Sequence, residues 1–282
     1  MDDKVTHVPL AELHPFPGHP FQLRDDDAMR DTVDSIKEYG VLVPAIVRPR
    51  EDGGYEIVSG HRRKYASELA GLETMPVIVR NLDRDAATIV MVDSNLQREN
   101  ILPSERATAY KMKLEAIKRQ GARNDLTSAQ VVPKLTAREK VAEDAGVNRM
   151  EVSRYVRLTE LEPELQQMVD EKKIGITPAV EISYLKPEEQ KLLLDTIESE
   201  QATPSLSQAQ RMKKLSQSGE LNDDTMLGIM MEQKKPEKMD ITIPAEVLQK
   251  YFPRSYTPQR MQETIIKLLE GWQRKRQQQM QR

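Results

Sequence analysis

Tyr55-Glu-Ile-Val-Ser-Gly60-His61-Arg62-Arg63 decides how this chain is read, because an apolar strand pattern runs there into a glycine, two arginines and a helical pattern ending at Gly71. Glycine permits a tight backbone turn, a helix start offers unpaired N–H groups and a positive dipole end, and paired guanidiniums grip phosphate oxygens as a fork. The corner therefore predicts an anion site, with the phosphate of a nucleotide or nucleic acid as its natural ligand. A plain exposed basic turn is the competing reading of these residues taken alone.

Outward from this corner, strand and helix signals alternate from Val8 to about Val79. Met29 to Tyr39 has helical spacing, Ala45 to Arg48 is a short apolar strand, Asp52-Gly53-Gly54 is a hairpin turn, and Met75 to Val79 is a further strand. After Asn81 the strand signals fade, and helical patterns continue from Asp85 to about Gln233. Lys234 to Lys238 reads as a polar, proline-containing linker; Asp240 to Ile243 gives one strand signal before helices around Ala245–Lys250 and Pro258–Arg276. The end from Gln273 to Arg282 lacks apolar periodicity and is expected to fray. The fold class expected is α+β, predominantly α: a small α/β N-terminal domain over 1–100, an all-α domain over 101–233, a linker over 234–239 and a small module over 240–282.

Composition narrows the function classes. With 282 residues, 38% hydrophobic and 4% aromatic, the chain suits several small modules better than one large core. A net charge of -3 with 31% charged residues means that any basic surface is local. The absence of cysteine excludes disulfides, thiolate chemistry and cysteine zinc sites. No apolar run reaches membrane-span length and the start lacks a signal-peptide layout, so a soluble, cytoplasmic protein is expected.

A second signal lies in Thr136 to Leu158. Val141 and Ala142 precede Gly146 by five and four residues, and Val147, Val152 and Tyr155 follow it by one, six and nine. This is the spacing of a helix-turn-helix over about 137–158: Ala142 lets two helices cross closely, Gly146 takes the positive φ of the turn, and Val141, Val147, Val152 and Tyr155 share a core. The side chains expected to face away are Asn148, Arg149, Glu151, Ser153, Arg154 and Arg157, all capable of bonding base edges or phosphates. An ordinary helical hairpin is the alternative for a lone Ala–Gly pair. Lys111, Lys113, Lys118, Arg119 and Arg123 form a basic run near a helix that Ser104 is expected to cap, read equally as a solvated face or as phosphate contacts.

His7, His14 and His19 sit in a proline-rich, loop-like start without ligand spacing. Met226, Met230 and Met231 read as core or helix contacts. Ile265, Ile266, Leu268, Leu269 and Trp272 form an apolar stripe on a segment too short to bury it alone, so a dimer interface is the economical expectation, packing back onto the chain's own body the competing one. The basic tail beyond it is a candidate for nonspecific DNA contact.

Val41-Leu-Val-Pro-Ala-Ile-Val-Arg48, Glu56 to Arg63, Met75 to Val79 and Asn95-Leu-Gln-Arg98-Glu-Asn, followed by the helix-turn-helix, resemble in order and spacing the ParB family of DNA-partition proteins over roughly residues 8–190. The resemblance implies a CTP- and Mg2+-binding N-terminal domain, a helix-turn-helix for a palindromic centromere-like site in double-stranded DNA, and a homodimer that closes as a sliding clamp. Gly60, His61, Arg62 and Arg63 fall on the family's Gly-Glu-Arg-Arg phosphate motif, Asn95, Gln97 and Arg98 on its Glu-Asn-Leu-Gln-Arg motif, and Gly40 to Pro44 on the segment lining the base. His61 and Ser94 stand where two glutamates are expected, so the resemblance implies at most a weak CTPase and a doubtful metal site. The leader before Val8 lacks the basic-apolar tail through which many relatives stimulate a ParA-type ATPase, leaving that partner open. The function implied is a nucleoid-associated partition protein for a chromosome, plasmid or mobile element. Alternatives are a nucleoid-occlusion or transcriptional regulator with the same modules and, from another class, a nucleotide-dependent small-molecule kinase, against which the helix-turn-helix argues.

Overall fold

The computed structural model describes residues 4–23, 25–98, 101–125, 136–232, 245–248, 250–253 and 255–280. The chain divides into two compact units, Met1–Glu232 and Gln233–Arg282.

The first unit opens on a five-stranded mixed sheet. Its strands are β1 (Val5–Pro9), β2 (Leu13–His14), β3 (Ala45–Pro49), β4 (Tyr55–Ser59) and β5 (Thr74–Val79), in the order β1-β5-β3-β4-β2. β3 and β4 form the antiparallel hairpin expected around the glycine turn, with Arg48 opposite Glu56 and their side chains paired at 2.8 Å. β3 and β5 run parallel. The sequence reading assigned neither β1 nor β2. His7 and His14 lie on these strands rather than in loops, because β1 is an exposed edge strand and β2 spans two residues, too short for a periodic signal.

Alternation along the strands separates two cores. Val8, Leu13, Ala45, Val47, Ile57 and Val77 fill one. Val58 joins Phe16, Phe21, Ala87, Met91, Val92 and Ala109 in the other. Helices α1 (Asp27–Tyr39) and α2 (His61–Leu69) close over Met29, Val33, Ile36 and Ala66, and Val41 and Leu72 link this cluster to the first core. Asp26 caps α1 by accepting the Met29 N–H at 2.9 Å.

Helix α3 (Arg84–Leu96) packs on β4 and on α4 (Pro103–Asp125), and Ala109 of α4 sits in the core it shares with Val58. The position near residue 100 therefore separates two helices that are packed against each other. Ser104 is not the N-cap expected. α4 begins one residue earlier, at Pro103, whose missing N–H suits a first turn, and Ser104 instead donates its N–H and hydroxyl to Asp170 at 2.9 and 2.5 Å.

Beyond α4 come α5 (Ala137–Ala145), α6 (Arg149–Leu158), α7 (Pro163–Asp170), α8 (Ile176–Ile182), α9 (Pro187–Glu200), α10 (Leu206–Ser218) and α11 (Asp223–Met231). Leu158, Leu165, Ile182, Leu193, Met212 and Met226 centre their core. Met230 is buried with them, whereas Met231, in the last turn of α11, is 65% exposed and is not a core residue.

In the second unit, α12 (Ala245–Leu248) and α13 (Pro258–Met280) are helical. The expected linker and the strand at 240–243 lie outside the described residues. The fraying expected from Gln273 is replaced by a helix to Met280, since Gln, Lys, Arg and Met are all good helix formers without apolar periodicity. No described helix is long and apolar enough to cross a membrane.

Candidate nucleotide corner and nucleic-acid interface

β4 ends at Ser59 and Gly60 turns the chain into α2 at φ +113°, a conformation open to glycine. The turn is also tight: a Cβ on Gly60 would lie 2.8 Å from the Ala45 Cβ. The corner thus places the free N–H groups of the α2 N-terminus beside Arg62. Among the described residues Arg62 has one ion pair, 3.6 Å to the partly exposed Asp26 carboxylate, and keeps donors for another anion.

Arg98 shares this space. Its guanidinium lies 5.7 Å from the Phe21 ring centroid, and burial first, then the Arg62 charge, pull its pKa below the usual range, with Glu105 opposing. Two cations close enough to repel each other, next to a helix N-terminus, are stabilised by a shared anion. Asn95 is buried at the end of α3; its Nδ2 donates to the Met91 carbonyl at 2.7 Å, while its Oδ1 has no hydrogen-bond partner among the described residues. Gln97, exposed, forms the C-cap of α3.

The other corner residues are committed to the protein itself. Arg63 turns its Nη1 onto the carbonyls of Val43 and Pro44 at 2.5 and 2.7 Å. It therefore holds the Gly40–Pro44 segment, whose Gly40 ends α1 at φ +70°, against α2. Leu42 and Val43 remain 74% and 62% exposed on that segment. His61 is buried, its Nε2 accepts the Phe16 N–H at 3.3 Å, and its ring lies 3.9 Å from that of His19. Burial, reinforced by His19, Arg98 and Lys64, lowers the His61 pKa to about 3, so the ring is neutral.

A triphosphate fits this donor set of backbone N–H groups and two guanidiniums, whereas the Asn95 Oδ1 is an acceptor suited to a hydroxyl or amine of a nucleoside rather than to a phosphate oxygen. A magnesium site does not. Ser94 is an exposed hydroxyl, His61 is a neutral buried imidazole, and the nearest carboxylate on α3, Asp93, is held by the Lys113 ammonium at 2.5 Å. No group of three or more His, Asp or Glu residues suited to a metal occurs among the described residues.

Sequence reasoning missed Phe16, Phe21 and Glu105, and read His19 as a loop residue without a place at the corner, where its ring lies 3.9 Å from that of His61. Glu105 accepts the N–H groups of Gln22 and Leu102 at 2.9 and 3.1 Å, tying the start of α4 to the chain beneath the corner. Its place in a first helical turn was legible; its partner far back in the chain was not.

The helix-turn-helix forms as its spacing predicts. Thr136 and Glu139 make a capping box for α5, Gly146 ends it at φ +66°, and the Asn148 side chain caps α6 by accepting the Glu151 N–H at 2.8 Å. Val141, Ala142 and Val152 share a core with Tyr110 and Leu114 of α4, and Val147 and Tyr155 pack against it.

The six polar candidates divide. Arg149 is exposed and only loosely paired with Glu139 at 3.4 Å; Arg154 is exposed with one bond to Thr177 at 2.6 Å; Ser153 bonds back to the Arg149 carbonyl. Glu151 is half-buried in the first turn. Arg157 is engaged within the protein: it donates to Ser183 and its guanidinium lies 4.1 Å from the Tyr184 ring centroid. Met150, which the polar pattern passed over, is 65% exposed on the first turn of α6. The basic run on α4 is largely paired: Lys111 with Glu160, Lys113 with Asp93 and Asp144, Arg119 with Asp85. Lys113 is wholly buried, which neither reading of the run anticipated.

Comparison with known proteins gives two family matches: the ParB N-terminal domain over residues 1–96 and the ParB HTH domain over 126–219. Chromosome-partitioning protein Spo0J of Thermus thermophilus is 35% identical over 66% of this chain and 62% of its own length. Stage 0 sporulation protein J of Bacillus subtilis is 34% identical over 60% of this chain and 54% of its own. The chain thus spans less than two thirds of the length of these relatives. Among solved structures, C-terminally truncated ParB of Caulobacter crescentus complexed to the centromeric parS site has 25% identity and a TM-score of 0.45, over 74% of this chain and 98% of that one. The same protein with CTP-gamma-S has 29% identity and a TM-score of 0.32, over 67% of this chain and 96% of that one. With a ParB N-terminal domain followed by a ParB helix-turn-helix domain, this chain belongs to the ParB family.

Proposed function

We propose that this chain is a site-specific DNA-binding partition protein, a dimeric clamp switched by CTP. The observation that carries this reading is the placement of an anion corner and a helix-turn-helix on one compact unit, both packed on α4 through α3 and α5. Arg62, Arg98 and the N-terminus of α2 hold the triphosphate, and the Asn95 amide oxygen accepts from a hydroxyl or amine of the same nucleotide. Gly40 to Pro44 line the base, with Arg63 setting the position of that segment and Gln97 at its rim. Arg149, Ser153 and Arg154 face the bases of a palindromic site in double-stranded DNA, with Asn148 and Glu151 setting the start of the recognition helix. His61 at the corner supplies no carboxylate for water activation, so turnover of CTP is weak or absent. The division into an N-terminal domain (1–100), a DNA-binding domain (101–233) and a C-terminal dimerisation module (240–282) accompanies this reading. So do a homodimer, a cytoplasmic, nucleoid-associated location and a ParA-type ATPase as a candidate partner.

Calorimetry with CTP, ATP and GTP, together with sequencing of genomic fragments retained by the protein, tests it. CTP-selective binding and a shared inverted repeat are the expected outcomes. No cytidine ligand at millimolar concentration, with no common sequence among the fragments, would overturn it.

A second reading, nucleoid occlusion, has support from relatives: a protein of that name from Halalkalibacterium halodurans is 30% identical over 70% of this chain. Retained fragments scattered over the chromosome, rather than clustered at one locus, would favour it.

A further inference from the structure

Lys113 lies at the middle of α4 with its side chain 0% exposed, and its ammonium meets two carboxylates on different helices. Asp93 Oδ1 of α3 is at 2.5 Å and Asp144 Oδ2 of α5 at 2.7 Å. Asp93 stands two residues before Asn95 of the anion corner; Asp144 stands two before Gly146, the turn of the helix-turn-helix. A cavity of about 140 Å³ opens between these elements, lined by both carboxylates, Asp93 and Asp144, and by Leu96 and the C-cap Gln97 of α3 with Arg106 and Tyr110 from α4. Leu96 of α3 packs on the cluster of Val141 and Ala142 from α5, and the shared ammonium adds a polar bond across the two helices beside the cavity.

We propose that Lys113 couples the two sites: a displacement of the α3 end by ligand at the anion corner is passed through Lys113 to α5 and so to the recognition helix. The physical reason is the cost of stranding a buried ammonium. If α3 moves away from α5, Lys113, whose side chain is 0% exposed, must give up one of two carboxylates that are themselves 42% and 35% exposed, which leaves a buried ammonium with a single partner at a cost in free energy. The two helices consequently move as a pair, or α5 is released in a single step, which is the discrete behaviour that coupling requires. The cavity leaves room for the shift. This inference rests on nucleotide binding at the corner and adds the route by which binding is felt at the DNA-reading end.

The test is amide hydrogen exchange on the full chain with and without CTP-gamma-S, for the wild type, Lys113→Met and Asp144→Asn. Met keeps the unbranched shape and the helix propensity of Lys, one atom shorter and without the charge. Asp144→Asn keeps the Lys113–Asp93 pair, so a folding failure of the first variant leaves the second to decide. In the wild type, CTP-gamma-S changes exchange by about fivefold or more in both the last turns of α3 and α5. In each variant the α3 change persists and the α5 change is lost. An α5 response that survives in the variants overturns the coupling role, as does a wild type responding in α3 alone. A wild type responding in neither helix means that the nucleotide reading itself has failed, and the coupling with it.

Discussion

At the scale of single residues, the corner separates groups proposed to hold a ligand from groups that hold the corner. Arg62→Ala and Arg98→Ala each remove a charge-assisted donor, worth about 1.5–3 kcal/mol. Calorimetric CTP affinity is therefore expected to fall by about tenfold or more for each, with thermal stability little changed. Arg63→Ala acts differently: it releases the Val43 and Pro44 carbonyls, so it lowers the melting temperature along with affinity. Gly60→Ala combines a positive φ with a Cβ 2.8 Å from Ala45, and is expected to destabilise by about 1–3 kcal/mol in a thermal melt. His61 supplies a pH signature. Its folded pKa, about 3, lies below the 6.5 of the unfolded chain, so the folded state binds fewer protons between those values. Stability is complete above pH 6.5 and is lost as the pH falls from there towards 3, by up to about 1.4 kcal/mol per pH unit. Denaturation midpoints measured at successive pH values show this slope, and His61→Phe flattens it.

At the scale of elements, the helix-turn-helix was readable because every position that builds it answers to a local rule. Gly146 supplies the turn, Thr136 and Asn148 the caps, and apolar residues at helical spacing the shared core. The same locality made the recognition face only half legible. Periodicity put Arg157 on the polar side of α6, but Ser183 and Tyr184 at the end of α8 claim its guanidinium. Arg149→Ala and Arg154→Ala are expected to cost about 1–3 kcal/mol of discrimination between cognate and scrambled duplexes where the arginine makes a bidentate base contact. Arg157→Ala should instead lower the melting temperature and leave the ratio of the two affinities unchanged. Competition binding with both duplexes distinguishes the roles.

At the scale of the whole molecule, two units are joined in one chain, and the second carries an exposed apolar stripe that is proposed to meet a second copy. Ile266, Leu268, Leu269 and Trp272 on α13 are 48–67% exposed. Burying such a stripe against its symmetry mate releases apolar surface from water without a new fold. Leu268→Glu with Leu269→Glu is expected to shift the sedimenting species from dimer towards monomer while the circular dichroism of the first unit is retained. A dimer that survives this double change would locate self-association elsewhere.

The sequence by itself determined the strand–glycine–helix corner, the hairpin before it, the run of helices after it and the helix-turn-helix, because each depends on backbone φ, capping and periodicity over a few neighbouring residues. It could not reveal the short edge strands β1 and β2, whose existence depends on partners, Thr74–Val79 and Tyr55–Glu56, far along the chain. Only the tertiary structure decided which charged groups are free. His61 meets Phe16 across 45 residues, Arg63 meets Val43 across 20, and Lys113 meets Asp93 across 20, so no local pattern records them. A charge in the sequence states what a side chain is able to bind, and the contacts brought by folding state whether it has already done so.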